Sequence, residues 1–116
     1  MELYRWDDIE AEPITDLLTR RYLSGDRVTL ARFFLKKGCL VQAHSHENEQ
    51  MSTVITGALK FVVEGNEIVV RANETLHIPA FSAHSAEALE DSDVFDVFSP
   101  PRSDWIEGRA DYLRGK

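Results

Sequence analysis

Short apolar runs, broken by turn residues at regular intervals, constrain this chain more than any other feature. Residues 27–37 are rich in β-branched and aromatic types, with Val28 and Leu30 alternating against Arg27 and Thr29, and they end at Gly38. A second extended piece covers 39–46. Residues 53–56 meet Gly57 and continue as 58–64. Gly65-Asn66 is a hairpin signal, with 67–72 as the returning strand. Asn73-Glu74 marks the next turn, 76–79 is a short strand closed by Pro79, and 84–89 and 94–98 supply two more. About eight strands at intervals of roughly 8 to 12 residues predict an antiparallel sandwich or barrel, not βαβ units.

The two ends read differently. Pro13 prevents one helix from spanning residues 1–18. That segment is expected as a loop or short strand laying Trp6, Ile9, Ile14, Leu17 and Leu18 on the body. Residues 103–116 revert to charge without a clean period, as a tail or frayed helical turn. Trp105, Ile106, Tyr112 and Leu113 could dock it on the body or on a second subunit. At 116 residues the chain can bury roughly two thirds of its unfolded surface, enough for one core. A single domain over 1–116 follows, with its barrel core at about 26–100 and the arm and tail packing outside.

Charge narrows the partners. Thirteen basic and twenty acidic residues leave a net charge of −7, and with no basic cluster the chain repels phosphate backbones, so no nucleic-acid partner is expected. No Lys/Arg run suits an anionic membrane, and no apolar run approaches the roughly 20 residues of a membrane helix. The N-terminus has neither a basic n-region nor an apolar h-region, so a cytoplasmic protein is expected. Cys39 is the lone cysteine and reads as a small buried apolar residue.

Chemistry concentrates on the four histidines, His44, His46, His77 and His84. On a strand, residues two apart share a face, so the imidazoles of His44 and His46 can share one metal. Gln50 has the same parity. The wider frame is Gly38-x5-His44-x-His46-x3-Gln50-x6-Gly57. It resembles the first cupin motif at every fixed position except Gln50, where the family usually has Glu. Downstream, Asn73-x5-Pro79-x4-His84 resembles the second motif, with Asn73 in place of its Gly. The resemblance covers roughly residues 26–98. It implies an all-β double-stranded β-helix, the jelly-roll barrel of the cupins, with His44, His46, Gln50 and His84 as metal ligands inside it. Glu47 and Glu49 are competing carboxylates, but Glu49 has the wrong parity for the same face. His77 has no ligand position in the motif and is expected to be structural or pocket-lining.

Three imidazoles and an amide oxygen would leave the full +2 charge on an ion. Such a site attracts anions and stabilises a higher oxidation state less well than one with a carboxylate ligand. That favours non-redox chemistry over oxygen activation by iron. Ligand type alone admits manganese, iron, cobalt, nickel, copper or zinc as the divalent transition metal.

Asp96 and Phe98 share parity on the last strand, and Arg102 follows the Pro100-Pro101 stop. If that face points inward, the acid lies near the metal and the guanidinium at the mouth, where it could hold a carboxylate bidentately. The alternative is an edge strand ending in a solvated loop. The runs 44–50, 78–91 and 96–102 together look like the KdgF group of cupins, which open the ring of unsaturated uronates left by pectin and alginate lyases. That resemblance implies a metal set of His44, His46, Gln50 and His84, a catalytic Asp96, and substrate contacts from Phe98 and Arg102. It also implies a small anionic sugar-like substrate. A dioxygenase or isomerase on the same frame, or a non-catalytic sugar or metabolite binder, are the rival readings. Sheet edges that need cover, with Trp105 and Leu113 available in the tail, point to a homodimer.

Overall fold

The computed structural model describes residues 1–108 and 113. Ten strands follow a 3-10 turn at Trp6–Asp8: β1 (Glu12–Thr15), β2 (Leu18–Ser24), β3 (Thr29–Leu35), β4 (Leu40–His44), β5 (Glu49–Thr56), β6 (Ala58–Val63), β7 (Asn66–Arg71), β8 (Thr75–Ile78), β9 (His84–Ala88) and β10 (Ser92–Ser99). A four-residue helix, α1 (Ser103–Ile106), comes last. Six strands form one sheet in the order β1-β2-β3-β10-β5-β8, and four form the other in the order β4-β9-β6-β7. Strand pairings are antiparallel throughout. The architecture is the expected all-β jelly roll. No helix among the described residues is long and apolar enough to cross a membrane.

Alternation puts the core between the sheets. On β10, Ser92, Val94, Asp96 and Phe98 point inward, while the residues between them are partly exposed. On β5 the inward set is Gln50, Ser52 and Val54. Ala31, Phe33 and Leu35 on β3 face Leu59 and Phe61 on β6 within one buried cluster. Cys39 is buried in it, and burial raises its thiol pKa.

Two glycine-type positions set the turns. Gly57 has φ +95°, and a Cβ there would lie 2.3 Å from Ser92 Oγ and 2.4 Å from Asp91 O. Only a residue without a side chain lets β5 pass into β6 against the β9–β10 connection. Asn73 takes a left-handed φ of 68° at its turn. Asparagine tolerates that conformation better than most residues, which is why it can stand where the motif has glycine.

The structure departs from the sequence reading at both ends. At the N-terminus the expected short strand is β1, with Ile14 and Leu18 buried, but β1 and an unforeseen β2 join the larger sheet, with β2 paired to β3 over its whole length. Strand β2 escapes a periodicity reading because Arg20 occupies a core-facing position, only 4% exposed. Its guanidinium stacks on Tyr22 and Trp105, 4.8 and 4.6 Å from the ring centroids, and pairs with Glu12. At the other end, Trp105 and Leu113 are buried in this chain's own barrel, so neither is available to cover a neighbour's edge. Ile106 is exposed, and Tyr112 lies outside the described residues.

Candidate metal centre and its cavity

The two sheets enclose a cavity of about 500 Å³, counted with the solvent at its mouth. His44, Gln50, His84, Asp96, Phe98 and Arg102 all line it, together with apolar residues that include Trp105 and Leu113. His44 ends β4 and stands directly opposite His84, which begins β9. His46 lies past the end of β4, in the loop to β5. The pair therefore does not sit on one strand as expected; the loop returns His46 to its neighbours. Ring centroids are 5.5 Å apart for His44–His46, 4.4 Å for His44–His84 and 5.0 Å for His46–His84. One nitrogen from each ring can be chosen so that all three lie within 4.8 Å of one another.

Gln50 reaches the cluster from the opposite sheet, because the chain turns back at 45–48 before β5 begins. Its Oε1 is 3.1 Å from His46 Nε2. Glu49 points outward and accepts a 2.7 Å bond from His77 Nε2. His77 is thus an exposed outer-face residue and does not line the cavity.

Hydrogen bonds fix the imidazole tautomers. The Nδ1 atoms of His44, His46 and His84 face the carbonyls of Gln42, Asn48 and Ser82 at 2.8, 3.0 and 2.8 Å. A carbonyl only accepts, so each Nδ1 carries the proton and each Nε2 is left with its lone pair. Burial holds the three rings neutral: it lowers the pKa of His44 and of His46 to about 4 and lowers that of His84 as well. The nearby Arg102 charge acts in the same direction on all three. His84 Nε2 is buried without a hydrogen-bond partner. His46 Nε2 points a lone pair at another acceptor, Gln50 Oε1. A cation shared by these atoms resolves both misfits, so the donor set suits a divalent transition metal.

The second half of the site comes from β10 and the turn after it. Asp96 is buried with Oδ1 unpartnered. Burial raises its pKa to about 7, against the opposing effects of a hydrogen bond from Ser52 and the Arg102 charge. Phe98 is buried beside it, its ring centroid 5.8 Å from that of His46. Arg102 is not at the mouth, as the sequence suggested; it is 1% exposed. Its guanidinium lies between Phe98 and Trp105, 4.7 and 4.4 Å from their centroids. Nε and Nη2 donate to the two carboxylate oxygens of Asp104 at 3.0 and 2.8 Å.

Sequence reasoning missed three contributors. Asn48 is buried in the histidine loop, and its Nδ2 donates to the carbonyls of Pro100 and Pro101. It thereby ties that loop to the turn carrying Arg102, whose own N–H donates to Thr29 Oγ1. Asp104 fixes the guanidinium. Ser52 receives Gln50 Nε2–H at 2.8 Å. Of the three, only Ser52 had a signal available, since it shares parity with Gln50.

Known proteins share this fold. The chain is 24% identical over 103 residues to the pectin degradation protein KdgF of Dickeya dadantii, covering 86% of this chain and 94% of that one. Its fold is similar to that of KdgF from Halomonas sp., with a TM-score of 0.85 at 24% identity over 90% of this chain and 98% of the other. An RmlC-like cupin from Shewanella frigidimarina superimposes equally well, with a TM-score of 0.85 at 25% identity over 90% and 96% of the two chains. The family model for the cupin domain matches residues 31–98, the span that contains both sheets' contributions to the histidine cluster, and on that match the chain belongs to the cupin domain family.

Proposed function

We propose that this cupin is a metal-dependent enzyme that converts a 4,5-unsaturated uronate monosaccharide to its open-chain keto form. The observation that carries the proposal is Asp96: a buried carboxyl with a free oxygen and a pKa near 7, in one cavity with His44 and His84 of the three-imidazole cluster. Such a group can both take and give a proton at neutral pH. The likeness to KdgF proteins supports the substrate class.

Ring opening of a cyclic enol ether moves protons without consuming any. One leaves the anomeric hydroxyl as the bond from the anomeric carbon to the ring oxygen breaks, and one arrives at the ring carbon that becomes a methylene. A single carboxyl can serve both transfers. Asp96 accepts the first proton as a carboxylate and returns it as an acid. Phe98 walls the sugar's ring, and Arg102 gives the cavity positive charge that favours the uronate carboxylate. Asp104 already occupies two guanidinium nitrogens, which holds the planar group rigid between its two aromatic neighbours. His44, His46, His84 and Gln50 would hold the metal, which when bound supplies Lewis acidity toward the substrate's oxygens.

The test is turnover of freshly generated unsaturated galacturonate, with metal-loaded and chelated protein side by side. Loss of the ultraviolet absorbance of the conjugated enol ether is expected to run faster than the spontaneous reaction only in the loaded sample. A loaded protein that does not exceed the spontaneous rate retires the proposal.

A further inference from the structure

An amide ligand has a problem that a carboxylate lacks. The two oxygens of Glu are equivalent, so either one can face a metal. Gln has one oxygen and one NH2, and only the oxygen can bind a cation. Something must decide which of them faces the histidines.

Ser52 sits two residues along β5 from Gln50 on the same inward face, fully buried. Its Oγ receives Gln50 Nε2–H at 2.8 Å. Across the sheet it stands directly opposite Asp96 on β10, and its hydroxyl bonds that carboxylate. A hydroxyl has one proton to donate. An ionised Asp96 can only accept, so its carboxylate takes the Ser52 proton and the oxygen's lone pairs are what remains for Gln50. Gln50 must then present NH2 to Ser52, which turns Oε1 toward His46, 3.1 Å away. The direction of every bond follows from the acid at the end of the chain.

We propose that Ser52 is a positioning residue that orients the Gln50 amide for metal binding and takes its own orientation from Asp96. The hydroxyl also explains why an amide suits this position. A carboxylate at position 50 would have no N–H for Ser52, and two acids would then compete for one hydroxyl proton. The inference rests on the metal-binding reading of the histidine cluster, and its test reads metal affinity in place of turnover.

Affinity for Zn2+ alone is measured by competition with a chelator on the full chain. Ser52→Ala is expected to weaken binding by about 10- to 100-fold, the usual cost of losing a group that orients a ligand. The deciding measurement is the same substitution in a Gln50→Glu background, where no orientation is needed: there Ser52→Ala should change affinity by less than about twofold. Equal losses in both backgrounds would mean that Ser52 acts only through packing, and would overturn the proposal. So would wild-type affinity in Ser52→Ala. Thermal unfolding of the chelated variants reports folding independently. Should Ser52→Ala fail to fold, Ser52→Cys keeps the size with a weaker donor and should show the same dependence on residue 50. A wild type that binds no Zn2+ removes the metal reading, and this inference with it.

Discussion

His44 and His84 enter the cavity from the four-stranded sheet, whereas Gln50, Asp96 and Phe98 enter it from the six-stranded one. The two walls are held by different means. Each histidine is anchored by a carbonyl two residues away in the sequence, so its tautomer is fixed locally. The acid wall depends on partners far along the chain: Ser52 across β5–β10, and Arg102 held by Thr29 and by the prolines that Asn48 grips. Burial also acts on the walls in opposite senses. It keeps the imidazoles neutral by lowering their pKa and lets the carboxyl hold its proton to higher pH by raising its pKa. One wall offers imidazoles to a cation, and the other offers that cation one amide oxygen and handles a proton.

Asp96→Asn should separate them most sharply. Turnover of the unsaturated uronate should fall by roughly 10²- to 10⁴-fold, the range of a lost general acid/base, while metal affinity stays within about twofold of wild type, because the amide oxygen of Asn still accepts the Ser52 hydroxyl proton and leaves Gln50 oriented as before. Parallel loss of both in a metal titration would show that the walls are not independent. The converse change, His84→Ala, should weaken metal binding by more than about 100-fold, exceeding the cost of a merely supporting residue. In the chelated protein the same change should cost no more than about 1–2 kcal/mol, because removing a buried nitrogen without a partner offsets part of the lost Ser82 hydrogen bond and packing.

Titration gives a third comparison. Between about pH 4 and 7 the folded protein keeps a proton on Asp96 that the unfolded chain has lost, so this group's contribution to stability falls as pH rises through that window. His44 and His46 do the reverse. Their folded values lie near 4, so the unfolded chain binds more protons below about pH 6.5 and stability falls as pH drops from there toward 4. In chelated protein the two slopes oppose each other. Asp96→Asn should expose the histidine slope alone and add on the order of 2–4 kcal/mol at pH 8. Urea unfolding at pH 5, 7 and 8 checks this, and parallel curves for the two proteins would contradict it.

The smallest effect is expected at the rim. Phe81 is 72% exposed with a left-handed φ of 66°, and its backbone N–H donates to His46 O at 2.8 Å. Phe81→Gly keeps that bond and relieves the strained backbone. Stability should rise by up to about 1 kcal/mol, the strain released being partly offset by the freedom glycine gains when unfolded. Metal affinity should be unchanged, as a chelator competition would show.

What could be read in advance follows the same division. The histidine spacing and the inward parity of Asp96 and Phe98 are local patterns, and the structure brings those residues together. For Arg102 the local pattern gives only its place after the Pro100-Pro101 stop, at the mouth or in a solvated loop. Its burial depends on Asn48, Thr29, Asp104 and Trp105, all distant in sequence or silent as signals. Strand β2 was missed for a related reason. An arginine at a core position looks like a break in the alternation, and only an aromatic ring from the far end of the chain makes that position tenable. Of the two placements open to Trp105 and Leu113, the chain's own body or a second subunit, the structure shows the first: both line the cavity of their own chain.

The Trp105 indole lies between two buried guanidinium groups, those of Arg20 and Arg102, with Phe98 against it. The other tryptophan, Trp6, sits on the outer face of the larger sheet against Phe95 and Arg32. The molecule therefore carries one optical reporter inside its cavity and one outside. With Trp6 replaced by phenylalanine, the remaining emission comes from a ring that shares its cation with the ligand pocket. Occupancy could then be followed by fluorescence with no label attached.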